Sequence, residues 1–155
     1  MRRRRAPKRK INPDPKYNST VIGNLVNTIM TSGKKSVAQK IIYNAFDIVQ
    51  EKLKEDPVKV FYAALDNVRP RMSVKPRRIG GATYQVPLEV PKDKGMTMAI
   101  RWIKDFSLKK KGKPMKVKLA EEIVSAYKKE GSAIKKRDDT HKMAEANRAF
   151  AHFRY

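Results

Sequence analysis

The apolar residues of this chain change period once, and that change limits what it can fold into. Almost every apolar stretch repeats at three and four residues. In contrast, Ala82, Tyr84, Val86, Leu88 and Val90 alternate with Thr83, Gln85, Pro87 and Glu89, which is the period of a strand. Before Gly80-Gly81, Met72, Val74 and Pro76 share one parity, and Arg71, Ser73, Lys75 and Arg77 share the other. This predicts a single β-hairpin over about 71–90, inserted among helices. A two-residue Gly80-Gly81 loop would set apolar side chains opposite basic ones. A three-residue loop, Ile79-Gly80-Gly81, pairs Val74 with Val86 and Met72 with Leu88, and puts Gly81 where a left-handed residue is wanted, so this second register is expected. Pro76 and Pro87 do not suit central strands. An isolated hairpin is marginal, so it should protrude from the helices as an arm and be ordered by what it touches.

Six helices surround it. Val21, Ile22, Leu25, Val26, Ile29 and Met30 form the first stripe, with Asn18 or Ser19 to cap it and Gly33 to stop it. The second carries Val37, Ala38, Ile41, Ile42, Ala45, Phe46, Val49 and Leu53. Asp56-Pro57 opens the third as cap and first-turn proline, with Val60, Phe61, Ala64, Leu65 and Val68 inside and Pro70 at its end. Beyond the hairpin, helices are predicted over 92–110, 115–129 and 132–149, separated by Gly112, Pro114 and Gly131, while Ala151 to Tyr155 fray or continue the last one. The fold class is therefore mainly α: a six-helix bundle over 19–155 with one hairpin arm. A chain of 155 residues suffices for one domain with a real core.

Residues 1–18 differ from the rest. Arg2, Arg3, Arg4, Arg5, Lys8, Arg9 and Lys10 come without an acid, and Pro7, Pro13 and Pro15 forbid an amphipathic helix. That excludes both a secretory signal and a helical organellar presequence, and leaves an extended, disordered basic arm. The chain has 37 Lys and Arg against 15 Asp and Glu, a formal charge of +22. A fold gains nothing from such self-repulsion, so a polyanionic partner is implied. The excess is local. Residues 69–79 hold five bases and no acid, whereas 34–66 hold six bases and five acids. Lys34 and Lys35, then Arg71, Lys75, Arg77 and Arg78, then Lys109, Lys110, Lys111, Lys113, Lys116 and Lys118 form clusters able to neutralise phosphates.

Nothing comparable points to catalysis. His141 and Glu145 lie one helical turn apart, with Asp138 and Asp139 just before, and are best read as a solvated, ion-paired helix face. Gly80-Gly81 joins two strands and lacks the Lys-Ser or Lys-Thr of a phosphate loop. Without cysteine there are no disulfides or thiolate metal sites, and no cofactor or metal is expected. Phe46, Phe61 and Phe106 fall on core stripes, Trp102 is offset but best packed, and Tyr84 could stack on a base or on Val74. Two readings stay open on the residues alone. One is an RNA-binding structural protein; the other is an architectural protein that bends DNA with a basic β-arm. Ile79 is the sole apolar wedge candidate at the hairpin tip. A nuclease would need a carboxylate cluster for metal ions.

Longer segments carry a resemblance. Ser32-Gly33-Lys34-Lys35, Asn67-Val68-Arg69-Pro70, the run Arg77 to Pro87, and the run Lys135 to His152 resemble the bacterial-type small ribosomal subunit protein seven family over essentially the whole chain. The resemblance implies a non-enzymatic protein of the cytoplasmic ribosome (bacterial, or an organellar form) that neither enters membranes nor self-associates. It implies binding to the 3′ major domain of small-subunit rRNA and nucleation of the subunit head near the decoding centre. It also implies proximity to exit-site tRNA and to the neighbouring small-subunit proteins nine and eleven. The residues expected near tRNA or protein are Arg78, Ile79, Gly80, Gly81, Ala82, Tyr84, Arg148, His152 and Arg154.

Overall fold

The computed structural model describes residue 6 and residues 11–154. The predicted phosphate ligands Arg2, Arg3, Arg4, Arg5, Lys8, Arg9 and Lys10, and the arm they make up, lie outside the described residues, as does the side chain of Arg154. The chain runs α1 (Thr20–Ile29), α2 (Lys35–Leu53), α3 (Pro57–Val68), β1 (Met72–Ile79), β2 (Ala82–Glu89), α4 (Lys92–Lys109), α5 (Met115–Tyr127) and α6 (Ser132–Ala146). A terminal 3₁₀ helix, Arg148–Arg154, ends it.

Local chemistry starts the helices where expected. The Ser19 hydroxyl accepts from the Ile22 N–H at the start of α1, and the Asp56 carboxylate accepts from the Val58 N–H at the start of α3, ahead of Pro57. The six helix stripes meet in one core. Ile22 and Leu25 of α1, Ile42 and Phe46 of α2, Phe61 and Leu65 of α3, Ile103 of α4, and Leu119 and Ile123 of α5 are fully buried. The rings of Phe46 and Phe61 pack with centroids 5.5 Å apart. Helix α5 is the common wall, lying against α2, α3 and α4. Trp102 and Phe106 pack on the edge of this core, half-buried.

Residues 11–18, counted by the sequence reading with the extended arm, fold back onto the core. Asp14 is 3 % exposed, accepts the N–H groups of Lys16 and Tyr17, and takes the hydroxyl of Tyr43 at 2.9 Å. Tyr17 then packs edge-on against Tyr43 and Phe46. Burial, reinforced by the Asp14 carboxylate, pushes the Tyr43 phenol up to about 12. A carboxylate removed from water has to be hydrogen-bonded, and this one is bonded to the turn that carries it. Residues 11–18 are therefore packed on the folded domain, which the proline spacing did not imply.

The hairpin forms, in the other register. Ile79 pairs with Ala82, Arg78 with Thr83, Lys75 with Val86 and Val74 with Pro87, so the loop is the two-residue Gly80-Gly81. Both glycines have positive φ, +56° and +88°, as the primed two-residue turns that match strand twist require. The expected pairing of Val74 with Val86 assumed that one face of an exposed arm must be apolar. Instead, consecutive residues Val86 and Pro87 are both buried, so the base of β2 is covered on both sides and parity no longer selects the register. With only two strands both are edges, which accommodates Pro76 and Pro87.

Removing a fully buried side chain from this core leaves a cavity. Leu65→Ala is expected to lower stability by about 2–5 kcal/mol, measured by urea denaturation. A loss within error would show that the α3 stripe is not the core.

Candidate nucleic-acid interface

Each predicted basic cluster sits at a junction between elements. Lys34 and Lys35 are exposed on the α1–α2 turn, where Ser32 and Gly33 take positive φ. On the hairpin, Lys75 and Arg78 are exposed and Arg77 is half-buried. Gly80, Gly81 and Ala82 are exposed at the tip, with Ile79 half-buried. On the α4–α5 turn, Lys109, Lys111, Lys113 and Lys116 are exposed. Lys110 turns inward: its ammonium lies 2.8 Å from the carboxylate of Glu122, which is 1 % exposed. Lys113 pairs with Glu121, and this hydrogen bond holds the Glu121 carboxyl below the ordinary carboxylate value.

The tip and the C-terminus come together through aromatic rings. Tyr84 packs on Phe150 at 5.1 Å and on Phe153 at 5.6 Å between centroids. Neither of the two partners weighed for it, a base or Val74, is therefore required to account for the ring. His152 is exposed, lies 3.9 Å from the Phe153 ring, and sets Nδ1 2.9 Å from the Ala149 carbonyl oxygen. Arg148 is exposed on the same terminal helix.

The base of the hairpin is tied to α6. The Arg71 N–H donates to Nε2 of His141 at 3.0 Å, and the Val90 N–H donates to the Arg71 carbonyl at 2.9 Å. Burial, with Arg137 and Arg71 acting against the opposing Asp138, holds the His141 imidazole below its ordinary 6.5. The neutral ring is the one that can accept the Arg71 N–H. Arg137 donates to the Asp138 carboxylate at 2.8 Å, so this stretch of α6 is ion-paired as expected while His141 serves the hairpin. Among the described residues no group of three or more His, Cys, Asp and Glu could hold a metal ion.

One basic concavity escaped the sequence. Arg69, Arg71, Lys129 and Arg137, with Asp66, Asn67 and His141, line a cavity of about 460 Å³. Arg69 and Arg71 belong to a visible cluster, but only the packing of α5 and α6 against α3 brings Lys129, just past the end of α5, and Arg137 of α6 to them. Arg69 is partly neutralised by Asp66 at 3.6 Å and Arg137 by Asp138, which leaves Arg71 and Lys129 as the exposed cations of the rim.

The bundle thus displays cations at its turns and along one β-arm, which gives it the surface of a basic scaffold. A sequence profile of the family described as Ribosomal protein S7p/S5e matches residues 1–148. The small ribosomal subunit protein uS7 of Thermotoga neapolitana is 58 % identical over 155 residues, covering all of both chains. The protein of that name from Fervidobacterium nodosum is 59 % identical over the same full length, and that of Thermodesulfovibrio yellowstonii 53 % over 154 residues and 99 % of each chain. The chain belongs to the S7p/S5e family of ribosomal proteins. It is a structural, non-enzymatic component of the small ribosomal subunit, in the cytoplasmic ribosome. Family membership decides between the two open readings in favour of the ribosome. No helix among the described residues is long and apolar enough to cross a membrane.

Two tests follow from this geometry. The stability that His141 adds is complete above the unfolded imidazole value and is lost as pH falls through its lowered folded value. His141→Gln, which can accept the same N–H without titrating, should flatten the pH dependence of stability below the ordinary imidazole value of 6.5, measured by denaturation midpoints. Superimposable profiles for the two proteins would refute the role of the neutral ring. Tyr84→Ser removes two ring contacts worth about 0.5–1.5 kcal/mol each. Hydrogen exchange over 148–154 should then accelerate by about tenfold or more while the core of α1 to α5 is unchanged. Unaltered exchange would show that Tyr84 does not hold the terminal helix.

Proposed function

We propose that this protein is a primary binder of the 3′ major domain of small-subunit rRNA and nucleates assembly of the subunit head. The rRNA surface consists of Lys34 and Lys35, the hairpin residues Arg71, Lys75, Arg77 and Arg78, the α4–α5 turn with Lys109, Lys111, Lys113 and Lys116, and the Arg-rich residues 2–10. The hairpin tip (Arg78, Ile79, Gly80, Gly81, Ala82), together with Tyr84 and the terminal residues Arg148, His152 and Arg154, faces exit-site tRNA or the neighbouring protein eleven. Protein nine is a second neighbour, and the chain enters the subunit as a single copy.

The observation that carries this reading is the exposure of acid-free cation clusters at turns. Cations on a helix face exchange partners with neighbouring carboxylates, as Arg69 does with Asp66. Lys34, Lys35, Arg78, Lys109 and Lys111 are exposed and have no acid beside them in sequence, whereas Lys110 turns inward to Glu122. Each such side chain that meets a phosphate releases counterions and adds affinity without reading bases.

With roughly six to ten phosphate contacts, affinity for a transcript of the 3′ major domain should fall about 10³- to 10⁵-fold between about 50 and 200 mM salt. Arg78→Ala should reduce the slope of log affinity against log salt by about 0.7–0.9 and leave the melting temperature unchanged, because that side chain is exposed. A flat salt dependence of the parent protein would overturn the electrostatic reading. Chemical footprinting on the same transcript tests the location.

A further inference from the structure

The α4–α5 turn presents a physical problem. Lys109, Lys110, Lys111, Lys113, Lys116 and Lys118 fall within ten positions, with no acid between Asp105 and Glu121. Repulsion among them favours a splayed, mobile turn, and a mobile turn pays ordering entropy when it binds. Yet the turn is fixed by one buried group. Glu122 is 1 % exposed and sits in the middle of α5. Its Oε2 lies 2.8 Å from the ammonium of Lys110, the residue that caps the C-terminus of α4. Its Oε1 accepts the N–H of Ala133 at 3.2 Å, in the first turn of α6.

That first turn has no cap of its own. The residue before α6 is Gly131, with no side chain and φ of +93°, so no local oxygen reaches the free N–H groups. Glu122 supplies one from another helix and puts its negative charge at the positive end of the α6 dipole. A carboxylate buried this deeply persists only when its charge is matched and its oxygens are hydrogen-bonded. Lys110 provides the charge and Ala133 the N–H. One side chain thus joins the end of α4, the middle of α5 and the start of α6.

We propose that Glu122 is a positioning residue for RNA binding, and that Lys110 is its anchor rather than a phosphate ligand. Drawing Lys110 inward fixes the backbone at the end of α4 and takes one cation out of the repelling set. Lys109 and Lys111, on either side of Lys110 in sequence, then project to solvent from a preformed turn, and Lys113 can exchange Glu121 for a phosphate. The inference rests on the reading of this turn as an rRNA surface, but gives Lys109, Lys110, Lys111 and Lys113 different tasks within it.

The test uses the full chain and a transcript of the 3′ major domain, titrated over a range of salt concentrations, with thermal melting in parallel. Lys111→Met should lower the salt slope by about 0.7–0.9 without changing the melting temperature. Lys110→Met should do the reverse, leaving the slope unchanged and lowering the melting temperature. Glu122→Gln keeps an acceptor for the Ala133 N–H but loses the ion pair, and should weaken binding several-fold at fixed salt without reducing the slope. The double variant Glu122→Gln, Lys110→Met buries no unpaired charge, so it should fold and bind with the parental slope. A slope lowered by about 0.7–0.9 in the Lys110→Met protein or in the double variant would make Lys110 a phosphate ligand and overturn the proposal. Full parental affinity in Glu122→Gln would overturn it as well. If Lys109→Met and Lys111→Met both leave the slope intact, the reading of the turn as an RNA surface fails instead, a result distinct from the other two.

Discussion

Self-repulsion is the constraint under which this fold is built. Thirty-seven cations and 15 acids share 155 residues, so acids are too scarce to pair every cation. Several cations meet an acid: Lys110 with Glu122, Lys113 with Glu121, Arg69 with Asp66 and Arg137 with Asp138. Lys34, Lys35, Lys75, Arg78, Lys109 and Lys111 are exposed to solvent at turns and on the hairpin. The more exposed of these pairs add little stability one by one, unlike that of the buried Glu122. Their effect here is directional, because a pairing decides which lysines point inward and which remain for a polyanion.

The same economy explains the segments that carry the family resemblance. Asn67 is half-buried at the end of α3, and its side-chain amide donates to the carbonyl groups of Ala126 and Tyr127, both at 3.1 Å. Those carbonyls lie in the last turn of α5, where helical N–H donors run out, although the Lys129 N–H also reaches Ala126 at 3.1 Å. Arg137 donates to the main-chain carbonyl of Asn67, and His141, one turn further along α6, accepts from Arg71. The stretch Asn67 to Arg71 and the stretch Arg137 to His141 are thus two halves of one joint, through which α3, α5 and α6 hold the root of the hairpin. A comparison of sequences would see two basic motifs; physically, much of each is hydrogen bonding inside the protein.

What could be read from the sequence follows from what depends on near neighbours. Helix stripes, the Ser19 and Asp56 caps and the glycine turn rest on residues a few positions apart, and the six helices stand where the periodicity put them, with one exception. The last, expected over 132–149, stops at Ala146 and a separate 3₁₀ helix, Arg148–Arg154, follows. The hairpin register failed because its arbiter lies elsewhere in the chain: α6 and the terminal helix pack on the hairpin, and no pattern within 71–90 encodes that. The buried Asp14 was hidden for the same reason, since its partner Tyr43 is 29 positions away and prolines on both sides suggested an extended chain. In the candidate interface, exposure at Lys34, Lys35, Arg78 and Lys111 agrees with a reading from charge alone. The inward turn of Lys110 does not, because a lysine in a run of lysines carries no local sign of its partner. Glu122 carried no local sign either, because Glu121 stands beside it in sequence and only the packing shows which of the two is buried.

The hairpin is the element whose meaning changes most between sequence and structure. As an independent arm it would be free to move against the bundle, and its order would come from RNA. Instead it is held at both ends, by the Arg71–His141 bond at its root and by the Tyr84–Phe150–Phe153 cluster nearer its tip. The rings of that cluster bury apolar surface outside the main core, so they form a small second cluster shared between β2 and the C-terminus. Two segments that would each be marginal alone, a two-stranded ribbon and one short 3₁₀ helix, stabilise each other. A ligand that orders either segment therefore orders both, and a substitution that loosens the C-terminal rings reaches the hairpin without touching it. The exposed Gly80-Gly81 tip is left as the free end of an otherwise braced lever.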